Sequence, residues 1–345
     1  MNAKEVWHTL QIMFAYIGTV VGAGFATGQE ILQFFTQFGW VAILTMSFAS
    51  LLFVVCGARL MLLSRQIRAK SYEDLNVHLF GRTFGQAMSW FTLVILLAVT
   101  GVMLAGAGAI FEEHLQWSYQ LGLLLTLLLT YFVLQRGMDA ILSINSLVVP
   151  LMLLFGAILI VATIDAPLTG RWLSIDSDHS FGIAWLAPLL YVSFNLWMAQ
   201  AVLVPLGATI KKRRTIIVGS VGGGLGIGLL IWIAHFAMAP LMPGVRQFDI
   251  PMAQVIIEHG WLVQILFLFI LFAEIFTTLI ANVYGLGLQL QSRLPLRQPM
   301  IILLILLVCY AISQFGFKEL LGFLYPLFGI LGLVWFVKLM WKMTD

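Results

Sequence analysis

The chain has 345 residues, of which 61% are hydrophobic and only 10% charged, with a mean hydropathy of +1.01. A soluble domain, whose surface needs about a quarter of its residues charged, is excluded, and the net charge of +3 gives no sign of a nucleic-acid partner. What this composition describes is a polytopic protein whose partner along its whole length is the lipid bilayer.

Windows of about 20 apolar residues are long enough to cross a hydrocarbon core of about 30 Å. They predict ten helices, over 7–37, 40–64, 84–113, 119–135, 138–164, 182–209, 214–241, 260–290, 298–316 and 320–341. With a cytoplasmic N-terminus, the inner loops and ends hold Lys4, Arg59, Arg65, Arg68, Lys70, Arg82, Arg136, Lys211, Lys212, Arg213, Arg214, Arg293, Arg297, Lys338 and Lys342, 15 of the 18 basic residues. Only Arg171, Arg246 and Lys318 fall outside, among acids such as Glu112, Asp165, Asp249 and Glu319. The positive-inside rule then predicts that both termini are cytoplasmic. Two connections exceed a turn. Residues 66–84 are amphipathic and expected along the inner surface, and 243–260 are expected to form a short external helix after Pro251.

The first span contains GTVVGAGFATGQEIL, residues 18–32. Its four glycines each cost about 0.8–1 kcal/mol of helix propensity relative to alanine. Gly18-xxx-Gly22 and Gly24-xxx-Gly28 could be small-residue packing faces. The polar Thr27, Gln29 and Glu30 that follow favour a break near residues 21–26 instead. Such a break exposes carbonyls at one half-helix end and amides at the next, sites for a cation and a carboxylate.

In the middle spans polarity is sparse. Glu112, Glu113 and His114 at the outer end of the third span, Asn145 in the fifth and His235 in the seventh are expected to cap, pack or face water. The sixth span places Ser193, Asn195 and Gln200 in mid-membrane, with Pro205 downstream. It stands five spans after the first, and an odd repeat of five inverts the second copy, so broken helices at corresponding positions predict an inverted repeat with its site at the midplane. The glycine run of residues 222–228 permits close helix approach or bending. In the eighth span Glu274, Thr278 and Ala281 share a face, with Thr277 beside them. Hard oxygen ligands suit an alkali cation, and a carboxyl can carry a proton. Cys56 and Cys309 lie in apolar runs and read as small buried hydrophobes.

GTVVGAGFATGQEILQFF, residues 18–35, resembles the first-helix signature of the YkvI-type bacterial membrane proteins. That family is assigned as amino-acid permeases in the amino acid-polyamine-cation superfamily, with a LeuT-like fold. The resemblance runs through the whole chain in span number and topology, and is most specific in the first and eighth spans. It implies an all-α integral membrane domain over 1–345 in the bacterial inner membrane, with repeats at about 7–165 and 182–341 and helices 1 and 6 broken at the midplane. It further implies that the carbonyls of Gly18 and Val21, the Thr277 and Thr278 hydroxyls and the Glu274 carbonyl hold a sodium ion. The amides of Ala23 and Gly24 would hold a substrate carboxylate, with Ser193, Phe194 and Asn195 as walls and Phe25 and Phe194 as gates. The glutamate at 274 departs from the small neutral residue of many sodium-coupled relatives, and keeps proton coupling as the alternative.

The expected function is a cation-coupled symporter for a small solute, an amino acid or related zwitterion, with no cofactor beyond Na+ or H+. Glu30 and Glu274 are the gate or proton candidates, and the oligomeric state is not specified. Exchange, a nutrient sensor and a channel are the rivals. A membrane-embedded enzyme is not expected, because no nucleophile and base converge and no H-E-x-x-H pattern occurs.

Overall fold

The computed structural model describes residues 3–113, 115–163, 180–248, 250–256, 260–314 and 332–342. Every regular element among them is helical. The first predicted span divides into α1 (Ala3–Val20), α2 (Ala23–Ala26) and α3 (Gln29–Phe34), followed by a 3-10 turn at Thr36–Phe38. Then come α4 (Val41–Ile67), α5 (Tyr72–Phe80), α6 (Arg82–Glu113), α7 (Tyr119–Leu134) and α8 (Met138–Thr163). The second half holds α9 (Phe181–Thr209), α10 (Arg213–Met238), α11 (Pro251–Ile256), α12 (Trp261–Gln291), α13 (Gln298–Ser313) and α14 (Gly332–Trp341). Six of these, α4, α6, α8, α9, α10 and α12, are long and apolar enough to cross a membrane, and α7, α13 and α14 are shorter apolar helices. Much of the predicted last span, like Glu113 and His114 in side chain, lies outside the described residues.

Burial separates centre from rim. Within its apolar stretch α9 is 83% buried, whereas α8 is 39%. Leu51, Leu128, Phe132, Leu147 and Leu307 stay exposed on outer faces, where lipid replaces water as the apolar solvent. In α10 the glycines act by absence of side chain. A β-carbon on Gly223 would fall 2.5 Å from the Tyr16 ring, and one on Gly224 would fall 2.6 Å from the backbone nitrogen of Val54. So α1 and α4 both press directly on α10, as a small-residue face allows. Tyr16, fully buried, locks this layer by donating its hydroxyl to Phe53 O at 2.8 Å.

The two connecting helices form where expected. A capping box between Ser71 and Asp74 starts α5. Its Asn76 Nδ2 donates to Ser89 Oγ on α6 at 3.1 Å, while Asn76 Oδ1 accepts from Trp335 Nε1 on α14 at 2.9 Å. Glu73 forms an ion pair with Arg293 and accepts from Gln289 Nε2 at 2.6 Å. At the opposite end α11 starts at Pro251 and docks on the broken first span through Met252 N–H to Thr27 O at 3.0 Å.

One expectation is corrected. The sixth span is not broken: α9 runs through 29 residues, with Pro188 and Pro205 inside it. Its polar residues explain why. Ser193 Oγ donates to Leu190 O and Asn195 Nδ2 to Tyr191 O, both at 3.0 Å, so they are satisfied by their own helix. No glycine interrupts residues 183–206.

Candidate functional site

The site is built around the gap in the first span. The α-helical ladder runs to Val21 N–H donating to Ile17 O at 2.8 Å and resumes with Ala26 N–H donating to Gly22 O at 3.0 Å. Between them Gly22 is extended, at φ −134° and ψ −165°. The carbonyls of residues 18–21 and the amides of 22–25 thereby fall outside the ladder. A second interruption follows at Gly28, whose φ of +84° suits glycine. A β-carbon there would also meet Met238 Sδ at 2.7 Å.

Two helices place polar atoms beside the first gap. From α12, Thr278 Oγ1 lies where a β-carbon on Gly22 would come within 2.8 Å. From α8, Asn145 Oδ1 crowds Gly18 so closely that a β-carbon there would overlap it, at 1.9 Å. Both oxygens are buried without a hydrogen-bond partner among the described residues. Asn145 is held in place by donating its amide to Ile141 O at 3.0 Å, which aims the oxygen at α1. Each lone buried acceptor costs about 1–3 kcal/mol unless something binds it. The two oxygens lie against glycines four residues apart, Gly18 and Gly22, on the side of the gap where carbonyls are freed.

Glu274, one turn before Thr278 on α12, is fully buried, and both carboxyl oxygens lack a partner among the described residues. Thr277 is buried and donates its hydroxyl to Glu274 O at 3.0 Å. That bond lies within α12 and leaves lone pairs on both oxygens, while Thr278 faces the gap. Ala23 and Phe25 are buried on the single turn of α2. Phe25 lines an apolar cavity with Met152, Phe155, Met252, Phe267 and Ile270. Phe194 is buried on α9, where a β-carbon on Gly332 of α14 would come 3.3 Å from its backbone nitrogen. Glu30 is buried in the first turn of α3, away from this cluster in the chain.

From the sequence Asn145 is expected only to cap, pack or face water. Its signal was an amide in the middle of an apolar span, but only the packing of α8 on Gly18 distinguishes a site residue from a helix-satisfied one. Gln200 on α9 also has both side-chain polar atoms buried and unpartnered among the described residues. His235 follows the expectation of packing: its Nδ1 lies 3.1 Å from Thr36 Oγ1.

No family model matches the chain. It is 40% identical over 339 residues to the uncharacterized membrane protein YkvI of Bacillus subtilis (strain 168), covering 96% of this chain and 95% of that protein. To the uncharacterized protein YyaD of the same organism it is 26% identical over 328 residues, covering 95% of each. Among solved structures, MhsT in complex with L-phenylalanine matches with a TM-score of 0.67 at 15% identity, over 96% of this chain and 89% of that one. A Na+-coupled sialic acid symporter matches at 0.66 and 12%, over 94% and 76%. The nucleobase-cation-symport-1 family transporter MHP1, with bromovinylhydantoin bound, matches at 0.64 and 14%, over 94% and 74%. At such identities the likeness is one of fold, and the fold is that of these LeuT-like transporters.

Proposed function

We propose, for a chain that belongs to the family of the Bacillus subtilis membrane protein YkvI, that it is a cation-coupled secondary transporter. Its solute is small, an amino acid or related zwitterion, and it moves by alternating access in a bacterial inner membrane, with both termini cytoplasmic. Ten spans in two inverted repeats form the scaffold. One observation carries the reading: the first span is interrupted at Gly22, directly against the Thr278 hydroxyl, which has no partner among the described residues. In a bilayer a break of this kind is tolerated only where it lines a cavity or is buried in protein, and its freed ends suit ions and carboxylates.

In this mechanism the carbonyls of Gly18 and Val21 and the Thr278 hydroxyl, with Thr277 and the Glu274 carbonyl behind, hold the driving ion. The amides of Ala23 and Gly24 hold the solute carboxylate, and Ser193, Phe194 and Asn195 form the facing wall. Phe25 and Phe194 close over the solute, and Glu30 belongs to the outer gate. The chemistry is binding without bond-making. A second reading, proton coupling, is favoured by the two unpartnered carboxyl oxygens of Glu274, a group that can carry a proton where sodium would otherwise sit.

Proteoliposomes with a sodium gradient or a pH gradient imposed separately decide between the ions. Uptake indifferent to sodium would remove the Thr277/Thr278 ion site and leave Glu274. The solute is sought by thermal stability of the purified protein against amino acids and related osmolytes, with and without sodium, since a ligand of the native state raises its stability. No shift with any zwitterion would count against the roles given to Ala23 and Gly24.

A further inference from the structure

At the basic end of the bundle, α4 stops in an unusual way. Its C-cap is Arg68, at φ +53° and ψ +45°, a left-handed position that glycine adopts without strain and arginine does not. Arg68 N–H bonds to Arg65 O at 3.3 Å and Ala69 N–H to Ser64 O at 3.0 Å. The turn buries Ala69 and leaves Arg68 and Lys70 on the rim of a pocket of ≈ 790 Å³. Across the pocket the end of α9 contributes Thr209 and Lys211, and α12 contributes Tyr284.

Four cations, Arg65, Arg68, Lys70 and Lys211, line this space, and none of its lining residues is acidic. Arg65 answers the negative end of α9, donating from Nε to Ile210 O at 3.2 Å and from Nη2 to Lys211 O at 2.7 Å. These bonds fix the two walls relative to each other. The side chains of Arg68, Lys70 and Lys211 have no such answer among the described residues. The ion pairs among the described residues join Lys212 to Glu5 and Arg293 to Glu73 instead. Basic residues on an inner loop are ordinarily explained by membrane sidedness. Sidedness does not require a strained backbone, and an observed outlier of this type points to a role for the side chain it positions.

We propose that this pocket is an anion site for a phosphate group, closed by Arg68, Lys70 and Lys211, and distinct from the transport site. Arginine's planar fork and two flanking ammonium groups match a phosphate oxygen set. The phosphate is that of an anionic lipid headgroup or of a soluble phosphate, both of the same local chemistry. Bound there, it would join the α4–α5 link, the α9–α10 link and α12.

The test is thermal stability of the full chain in neutral detergent at constant ionic strength. The probes are inorganic phosphate in one arm, and phosphatidylglycerol against phosphatidylcholine in the other. A rise in Tm of about 3 °C or more at saturation is expected in at least one arm. Phosphate alone acting identifies a soluble ligand, and phosphatidylglycerol alone acting identifies a headgroup. Arg68→Gly relieves the backbone, so its Tm without anion should equal or exceed that of the parent, yet the anion-induced rise should be lost. Arg68→Lys should retain most of the rise. The proposal is overturned if neither probe stabilises the parent, or if the rise is undiminished when Arg68→Gly is combined with Lys211→Gln.

Discussion

Thr278 makes the sharpest single-residue case. Its hydroxyl faces Gly22 without a partner among the described residues, whereas Thr277 is tied to its own helix. Thr278→Val conserves shape and removes only the oxygen. We expect Tm in sodium-free buffer to change by no more than about 2 °C, because no hydrogen bond is lost, and any sodium-dependent stabilisation to disappear. Persistence of that stabilisation would take Thr278 out of the ion site. Glu274→Gln should fold at least as well as the parent, since the carboxyl it replaces is fully buried and unpaired among the described residues. Its uptake should lose dependence on a proton gradient, measured in proteoliposomes; an unchanged pH response would exclude Glu274 as the proton carrier. The chemistry of both residues was legible in the sequence, because a carboxylate and hydroxyls at helical spacing in an apolar span are conspicuous. Asn145 was not, because its amide is satisfied locally while its oxygen points at another helix.

At the scale of elements, the contrast between α1 and α9 shows why polar content alone misleads. Both carry polar residues in mid-span, yet only the first breaks. Its extended Gly22 and left-handed Gly28 supply conformations other residues resist, whereas Ser193 and Asn195 fold their hydrogen bonds back onto α9. Backbone freedom, not side-chain polarity, decides where a span opens. The glycine run in α10, expected to permit close helix approach or bending, gives close approach to α1 and α4, and it makes a quantitative prediction. Gly224→Leu would force α4 and α10 apart at Val54 and should destabilise by about 1–3 kcal/mol or more, as overpacking does. Tyr16→Phe, which removes only the hydroxyl bonded to Phe53 O, should cost about 1 kcal/mol. Denaturation followed by tryptophan fluorescence would compare the two. A smaller loss for Gly224→Leu than for Tyr16→Phe would contradict the tight α4–α10 seam.

Across the whole molecule, hydropathy located most helices to within a few residues, because bilayer thickness fixes how long an apolar stretch must be. The described boundaries of α4, α9 and α12 lie within about three residues of those expected. The positions of spans along a chain do not dictate which of them pack at the centre, so that α9 is the most buried of the long spans was not legible in the sequence. The fold shared with MhsT and the sialic acid symporter fits the central proposal that the interrupted first helix serves coupled transport. The decisive measurement is uptake of a mixed amino-acid pool by proteoliposomes, read by mass spectrometry, under a sodium gradient, a proton gradient or neither. Saturable accumulation of a zwitterion above its external concentration, present with one cation gradient and collapsed by an ionophore for that cation, is the predicted result. Flux that never saturates and only runs downhill, or an absence of uptake under both gradients by protein whose fold is intact, would contradict it.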